Sequence, residues 1–431
     1  MIGRLASLSA QQRAVFKRMS STSLSQEPAP SSLVDTVRVD PRVRYRPPRE
    51  AVSFMADFDA QLGISNDMKA EKRALMAESS HTFFRASPAL FYHDLTTTYS
   101  KASRLLDQPA PNVPIVGDLH FGNSGTFRGP DGKAVWGFND FDQAAVGSPE
   151  HDLERLGVSL YVAARSANLS TRDSMQIVEK MGRSYLSHLG EEGPSYLTAE
   201  ESEGPIKAII EKAGSKTQDK FIDKWTTDGG RKLKRDGKLV DPDKDREKEI
   251  TKELEDEFPD LKFLDLASKP HSGGSTRGLE RYYSLVTSKD REEPWILETK
   301  VLLPSPVENQ DGDLKRADGK EFLDLWDKLG GFTDERHQSF KDNSRTFFTR
   351  EREREKDSLE ETADNLGPVA DAMGKLLARA HSKSGADLKG WIGRKEDKFL
   401  SKLVRFSRTY ARQVESDYRE WNSRYGTPPS T

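Results

Sequence analysis

The feature that most constrains this chain is a short apolar run, Val113 to Val116, that ends in Gly117-Asp118 and leads into a second acidic strip, Phe138-Asn139-Asp140-Phe141-Asp142. Between the two lie Gly129-Pro130-Asp131-Gly132, which is turn chemistry, and the apolar stretch Ala134 to Phe138. That order predicts a β-hairpin with acidic residues at both feet. Charges so placed must be carried on a sizeable core. The chain has no cysteine, so no disulfide framework, thiolate metal site or cysteine nucleophile is available to it. At 431 residues it is long enough for one large or two ordinary domains. Apolar residues make up 34% and charged residues 32%, which predicts a very polar surface and some solvated segments.

Periodicity places other elements around the hairpin. From Asp67 to Leu106 apolar residues recur at helical spacing around a break at Pro88, and two amphipathic helices are predicted around 150–168 and 171–190. A second strand-rich segment runs over 263–303, with Tyr282 to Val286 and Trp295 to Leu303 its best strands. The stretch 212–257 is dominated by Lys, Asp and Glu and is expected to be a solvated insertion. The region 318–422 is expected to be helical, including a polar stretch at 335–363, an amphipathic helix at Val369 to His381 and a long last helix at Lys398 to Trp421. The fold class is α+β.

Phosphoryl transfer needs a carboxylate for the acceptor hydroxyl and oxygen ligands to hold Mg²⁺ against the phosphates. An Asp followed five residues later by an Asn supplies base and metal ligand from one loop. Asp118 and Asn123 have this spacing, with Asp118 the candidate base. Asp140, after the hairpin, is the second candidate ligand, and Asp142 a reserve one. A single loop Asp more often serves a turn or cap; three such groups in order on a hairpin argue for a site. His120, between base and ligand, could bind a substrate phosphate or pack the loop, with packing the preferred reading; His381 reads as a core histidine, and Arg85 as either a site residue or half of a structural salt bridge.

The strip from Val116-Gly117-Asp118-Leu119-His120-Phe121-Gly122-Asn123 through Asn139-Asp140-Phe141-Asp142 and Gly147-Ser148-Pro149-Glu150-His151-Asp152-Leu153 resembles the catalytic strip of aminoglycoside phosphotransferases and choline kinases. The resemblance implies a bilobed protein-kinase-like fold, with Asp152 tying a helix to the loop. Nearly the whole chain is similar to the family called domain of unknown function 2252. That similarity is carried by Phe83-Phe84-Arg85-Ala86-Ser87-Pro88, the strip itself, Gly278-Leu279-Glu280-Arg281-Tyr282-Tyr283, Ala378-Arg379-Ala380-His381 and Tyr410-Ala411-Arg412-Gln413.

The nucleotide half is expected in the second strand-rich segment. Gly273-Gly274-Ser275-Thr276-Arg277-Gly278 reads as a phosphate loop, because backbone without a Cβ can approach phosphate closely; the family carries a further glycine where Ser275 stands. Lys300 lies within an otherwise apolar strand, where an ammonium needs an anion. The other reading of Lys300 is an edge-strand lysine facing water. Glu308 and Glu321 are candidates for its carboxylate partner. In kinases the glycine loop and lysine precede the catalytic loop, whereas here they follow it, so a kinase-like fold would be permuted in lobe order.

These readings predict a soluble ATP- and Mg²⁺-dependent phosphotransferase acting on a small-molecule acceptor. Alternatives are a nucleotide-binding pseudokinase, a nucleotidyltransferase or, more distantly, a metallophosphoesterase. The net charge of −3 offers no global footprint for nucleic acid, and no apolar run reaches membrane-spanning length. Residues 1–45 read as a tail. Its first 26 residues are basic, serine-rich and acid-free, as in a mitochondrial transit peptide; otherwise the expected compartment is the cytoplasm.

Overall fold

A computed structural model of the protein describes residues 33–39, 43–271, 273–291, 293–308, 317–342 and 345–426. The basic segment read as a transit peptide lies outside the described residues. The fold is a mixed α+β arrangement. After a single helical turn at Leu33–Thr36 come helices α1 (Pro48–Gln61), α2 (Asn66–Met76), α3 (Ser80–Arg85) and α4 (Pro88–Thr96). Ser65 and Ser79 cap α2 and α3, and prolines open α1 and α4, where a missing N–H costs no helical hydrogen bond.

Strand β1 (Val113–Ile115), the hairpin of β2 (Ser124–Arg128) and β3 (Ala134–Phe138), and β4 (Ala145–Gly147) follow. The hairpin register is Ser124↔Phe138, and β4 returns antiparallel to β1. Both feet of the hairpin are therefore drawn to one place. Helices α5 (Pro149–Ser166) and α6 (Thr171–His188) then pack against two later helices, α11 (Ala363–Ser382) and α12 (Glu396–Tyr425), around a core that includes Leu153, Leu156, Met181, Leu377 and Leu403. At Gly374 a Cβ would stand 2.3 Å from the Met181 carbonyl oxygen, so only glycine lets α11 lie this close to α6.

Between these helical parts runs α7 (Gly204–Gly214), α8 (Gln218–Trp225), α9 (Lys244–Glu257), then β5 (Leu261–Ser268), β6 (Arg281–Ser288), β7 (Trp295–Leu302), α10 (Gly319–Gly330), β8 (Gln338–Lys341) and β9 (Thr346–Glu351). The five strands form one antiparallel sheet in the order β8-β9-β7-β6-β5. One expectation is refined here and one corrected. The charged stretch 212–257 keeps most of its side chains exposed, as expected, but is folded onto the sheet. Its few apolar residues sit where they can be buried: Ile250, Leu254 and Phe258 recur every four residues and cover one face with Leu297 and Phe347, while Ile222, Leu233 and Leu239 cover part of the other with Tyr283 and Ile296. The polar stretch 335–363 holds β8 and β9 instead of a helix. Phe340, Phe347 and Phe348 are buried, Phe347 and Phe348 on opposite faces, and the charged residues around them hid that pattern.

Among the described residues no helix is long and apolar enough to cross a membrane. Near the start of α5 a buried carboxylate joins the helices to the strands. Asp152 accepts hydrogen bonds from Val116 N (2.7 Å) and Gly117 N (2.9 Å) and lies 3.3 Å from His381 Nε2. Asp152→Ala should therefore destabilise the protein by about 3 kcal/mol, since two buried N–H groups and a histidine lose their partner; a melt within error of the parent would refute the anchoring role. Two residues on, Glu154 is fully buried with neither carboxylate oxygen bonded. Burial pushes its carboxyl well above the usual range, and Glu150 adds to the shift. The folded protein holds a proton there that the unfolded chain releases, so this contribution is intact below the unfolded value of about 4.3 and is lost as pH rises toward the folded one. Glu154→Met should raise the melting temperature at pH 8 by roughly 2–4 °C and by less at pH 4. Equal gains at both pH values would contradict it.

Candidate functional site

The turn after β1 is built on Gly117, whose φ is +80° and where a Cβ would come within 1.9 Å of the Gln143 carbonyl oxygen. This close approach presses the loop carrying Asp118 onto the loop carrying Asp140 and Asp142. Asp118 is 9% exposed, and its Oδ1 receives Arg155 Nε at 2.7 Å and Nη2 at 2.7 Å. Arg155 is itself fully buried, with its guanidinium 4.3 Å from the Phe84 ring centre and a hydrogen bond to the Phe84 carbonyl. Among the described residues Asp118 Oδ2 has no hydrogen-bond partner. Burial raises the Asp118 carboxyl above its ordinary value, opposed chiefly by Arg155. Asn123 Nδ2 donates to the Asp118 carbonyl at 2.6 Å, which fixes the amide and leaves its oxygen for another partner.

Lys300 lies on β7, 2% exposed, with Nζ 2.5 Å from Asp142 Oδ2 and 3.4 Å from Asp140 Oδ1. The lysine that the sequence placed in a buried strand thus meets the two aspartates more than 150 residues before it. Its partner is not Glu308 or Glu321; those two border a separate small cavity. Burial and the neighbouring Asp140 push the Asp142 carboxyl up to about 6. Burial would raise Asp140 as well, but Lys300 and Arg350 outweigh it and hold that carboxyl below its ordinary value. Beside Lys300 on the same face of the sheet, Glu298 bridges Arg281 (3.0 Å) and Arg350 (3.1 Å).

Residues 273–278 join β5 to β6 and are held from the N-terminal helices. Lys72 on α2, fully buried, donates to the Ser275 carbonyl at 3.0 Å and to Asp59 Oδ1 at 2.7 Å. Gly278, φ +85°, turns the chain against Met68, where a Cβ would clash at 2.7 Å. Together these segments enclose a cavity of about 340 Å³. Asp118, His120, Asn123, Asp140, Asp142, Gly273, Gly274, Ser275 and Thr276 line it, joined by Leu75, Thr82, Arg85, Gln143, Arg277 and Arg281. Of the residues singled out in the sequence, Lys300 stands behind the two aspartates and Gly278 shapes the loop without lining the cavity.

His120 lines the cavity, 4% exposed, and burial lowers its pKa well below the usual value, so the ring is neutral. His381 is a core residue between Asp152 and Tyr185. Sequence reasoning missed Arg155 and gave Arg281 no role. Arg155 stands three residues after Asp152 on α5, which puts both on the helix face toward the loop but does not by itself mark Arg155 as the partner of Asp118. No group of three or more His, Asp or Glu side chains among the described residues forms a metal cage of its own. The amide oxygen of Asn123 and the carboxylates of Asp140 and Asp142 are hard donors that suit a cation completing its shell from water and phosphate, as Mg²⁺ does.

No curated protein and no solved structure matches the chain. A family match covers residues 66–424, from α2 through the last helix, and so takes in every segment that encloses the cavity. The chain therefore belongs to the family described as uncharacterized protein conserved in bacteria, DUF2252.

Proposed function

We propose that the cavity is the site of an ATP- and Mg²⁺-dependent phosphotransferase with a permuted, kinase-like bilobed plan. One observation carries the reading: Asp118, Asn123, Asp140 and Asp142 share a cavity with the glycine loop 273–276, and Lys300 joins them from a distant strand. The sheet adds support. Taken in chain order, the glycine loop lies between the first and second strands and the lysine on the third, which is where protein kinases carry theirs.

In this reading the backbone of 273–276 approaches the donor phosphates and Lys300 offsets their charge. Asn123 and Asp140, with Asp142 in reserve, would hold Mg²⁺, which neutralises charge on the phosphates when bound. Arg155 fixes one oxygen of Asp118, so the other can accept the proton of the acceptor hydroxyl. The acceptor oxygen bonds to the γ-phosphorus as the bond to the β,γ-bridging oxygen breaks, and ADP leaves. The raised Asp118 carboxyl is the better proton acceptor for this.

Turnover of ATP with a metabolite mixture as acceptor source tests the assignment. Asp118→Asn should lower transfer by roughly 10²–10⁴-fold while leaving nucleotide affinity within about twofold, because a base acts on the acceptor. Asp140→Ala should instead weaken nucleotide binding in the presence of Mg²⁺, by about tenfold or more, and leave metal-free binding unchanged. The same groups would serve nucleotidyl transfer, and release of AMP in place of ADP would select that reaction. Nucleotide bound without turnover by the parent protein would select the pseudokinase reading.

A further inference from the structure

Of the three arginines among the described residues that line the cavity, Arg277 is held by Glu71 at 3.4 Å and Arg281 by Glu298 at 3.0 Å, which leaves Arg85. Arg85 is the last residue of α3, held in place by the buried Phe83 and Phe84 before it. Its guanidinium lies across the loop between Asp118 and Asn123: a Cβ on Gly122 would stand 2.8 Å from its Cζ. It makes no hydrogen bond among the described residues. Its one ion-pair neighbour among the described residues is Glu361, whose Oε1 lies 4.0 Å from Nη1 while its Oε2 meets His81 Nδ1 at 2.6 Å. With 42% of its side chain exposed and only this long ion pair, Arg85 presents its planar fork beside the proposed base.

A second observation points the same way. His120, two residues after Asp118, is buried and lines the cavity, yet its Nδ1 has no partner. A buried ring nitrogen left unbonded is a cost that a ligand group would relieve. We propose that Arg85, with His120 beside it, receives an anionic group of the acceptor, a carboxylate or phosphate, and so positions its hydroxyl at Asp118. The proposal rests on the phosphoryl-transfer reading of this cavity.

The electrostatics favour an anion on this side. Three carboxylates line the cavity, and Lys300 pairs with two of them while Arg155 pairs with the third. An acceptor anion would meet their field unless a further cation faced it, and a guanidinium binds carboxylate or phosphate through two parallel hydrogen bonds. A cationic acceptor, such as an aminoglycoside or choline, would instead be repelled by Arg85.

Inorganic phosphate is the minimal probe, followed by broadening of its ³¹P resonance. It should bind the parent protein, and still bind when Mg²⁺ and the non-hydrolysable β,γ-imido analogue of ATP are present in excess. Arg85→Ala should raise its dissociation constant about tenfold or more, the loss expected for one charge-assisted pair, and Arg85→Lys should recover part of it. Thermal melts of both variants should match the parent, since Arg85 makes no internal hydrogen bond. If the analogue displaces phosphate, Arg85 serves the donor and the proposal is overturned; unchanged affinity in Arg85→Ala, or no phosphate binding, overturns it equally. Failure of the analogue itself to bind would strike the phosphoryl-transfer reading, while Arg85-dependent phosphate binding would still show an anion site.

Discussion

Lys300 and the pair Asp140 and Asp142 form the junction on which the rest of the site depends. Burying the Lys300 ammonium is costly, and the cost is offset only while the two carboxylates stay beside it. Asp142 at 2.5 Å and Asp140 at 3.4 Å keep the ammonium satisfied, and Glu298 between Arg281 and Arg350 continues the alternation of charge along the sheet face. Removing one partner of such a cluster typically costs about 3–5 kcal/mol, because the remaining charge stays buried. The junction ties the hairpin, made early in the chain, to a sheet made late, and the cavity is the space left where the two meet.

Asp118 is handled differently. Its charge is balanced from within the helical part, by an arginine sandwiched against aromatic rings, so its orientation does not depend on the sheet. One carboxylate group is thus locked to the helices and two are locked to the strands.

Much of this was legible in the sequence because it rests on local rules. The hairpin follows from Gly-Pro-Asp-Gly between apolar runs, Asp118 and Asn123 from their spacing, and Lys300 from the cost of an unpaired ammonium in an apolar strand. What was not legible depends on contacts across the chain. Arg155 carries no local sign that it will fork onto Asp118, since an arginine on a helix is usually solvated. The strands at 338–351 and the folded insertion were obscured for a related reason: a few apolar side chains, such as Phe347 and Ile250, decide burial while many charged neighbours decide the composition. Glu308 and Glu321 were reasonable partners for Lys300 by analogy, but the sheet delivers the lysine to the aspartates first.

The attachment of the glycine loop has a mechanical consequence. Ser275 hangs from Lys72, and Lys72 is fixed by Asp59 in a site with no exposure for either side chain. Pulling the loop away would expose or strand a buried charge, so the loop and α1–α2 behave as a single stiff plate rather than as a flap on a hinge. Any traffic into the cavity then takes place at the plate's edges, and residues in the N-terminal helices, well removed from the carboxylates, set how wide those edges are.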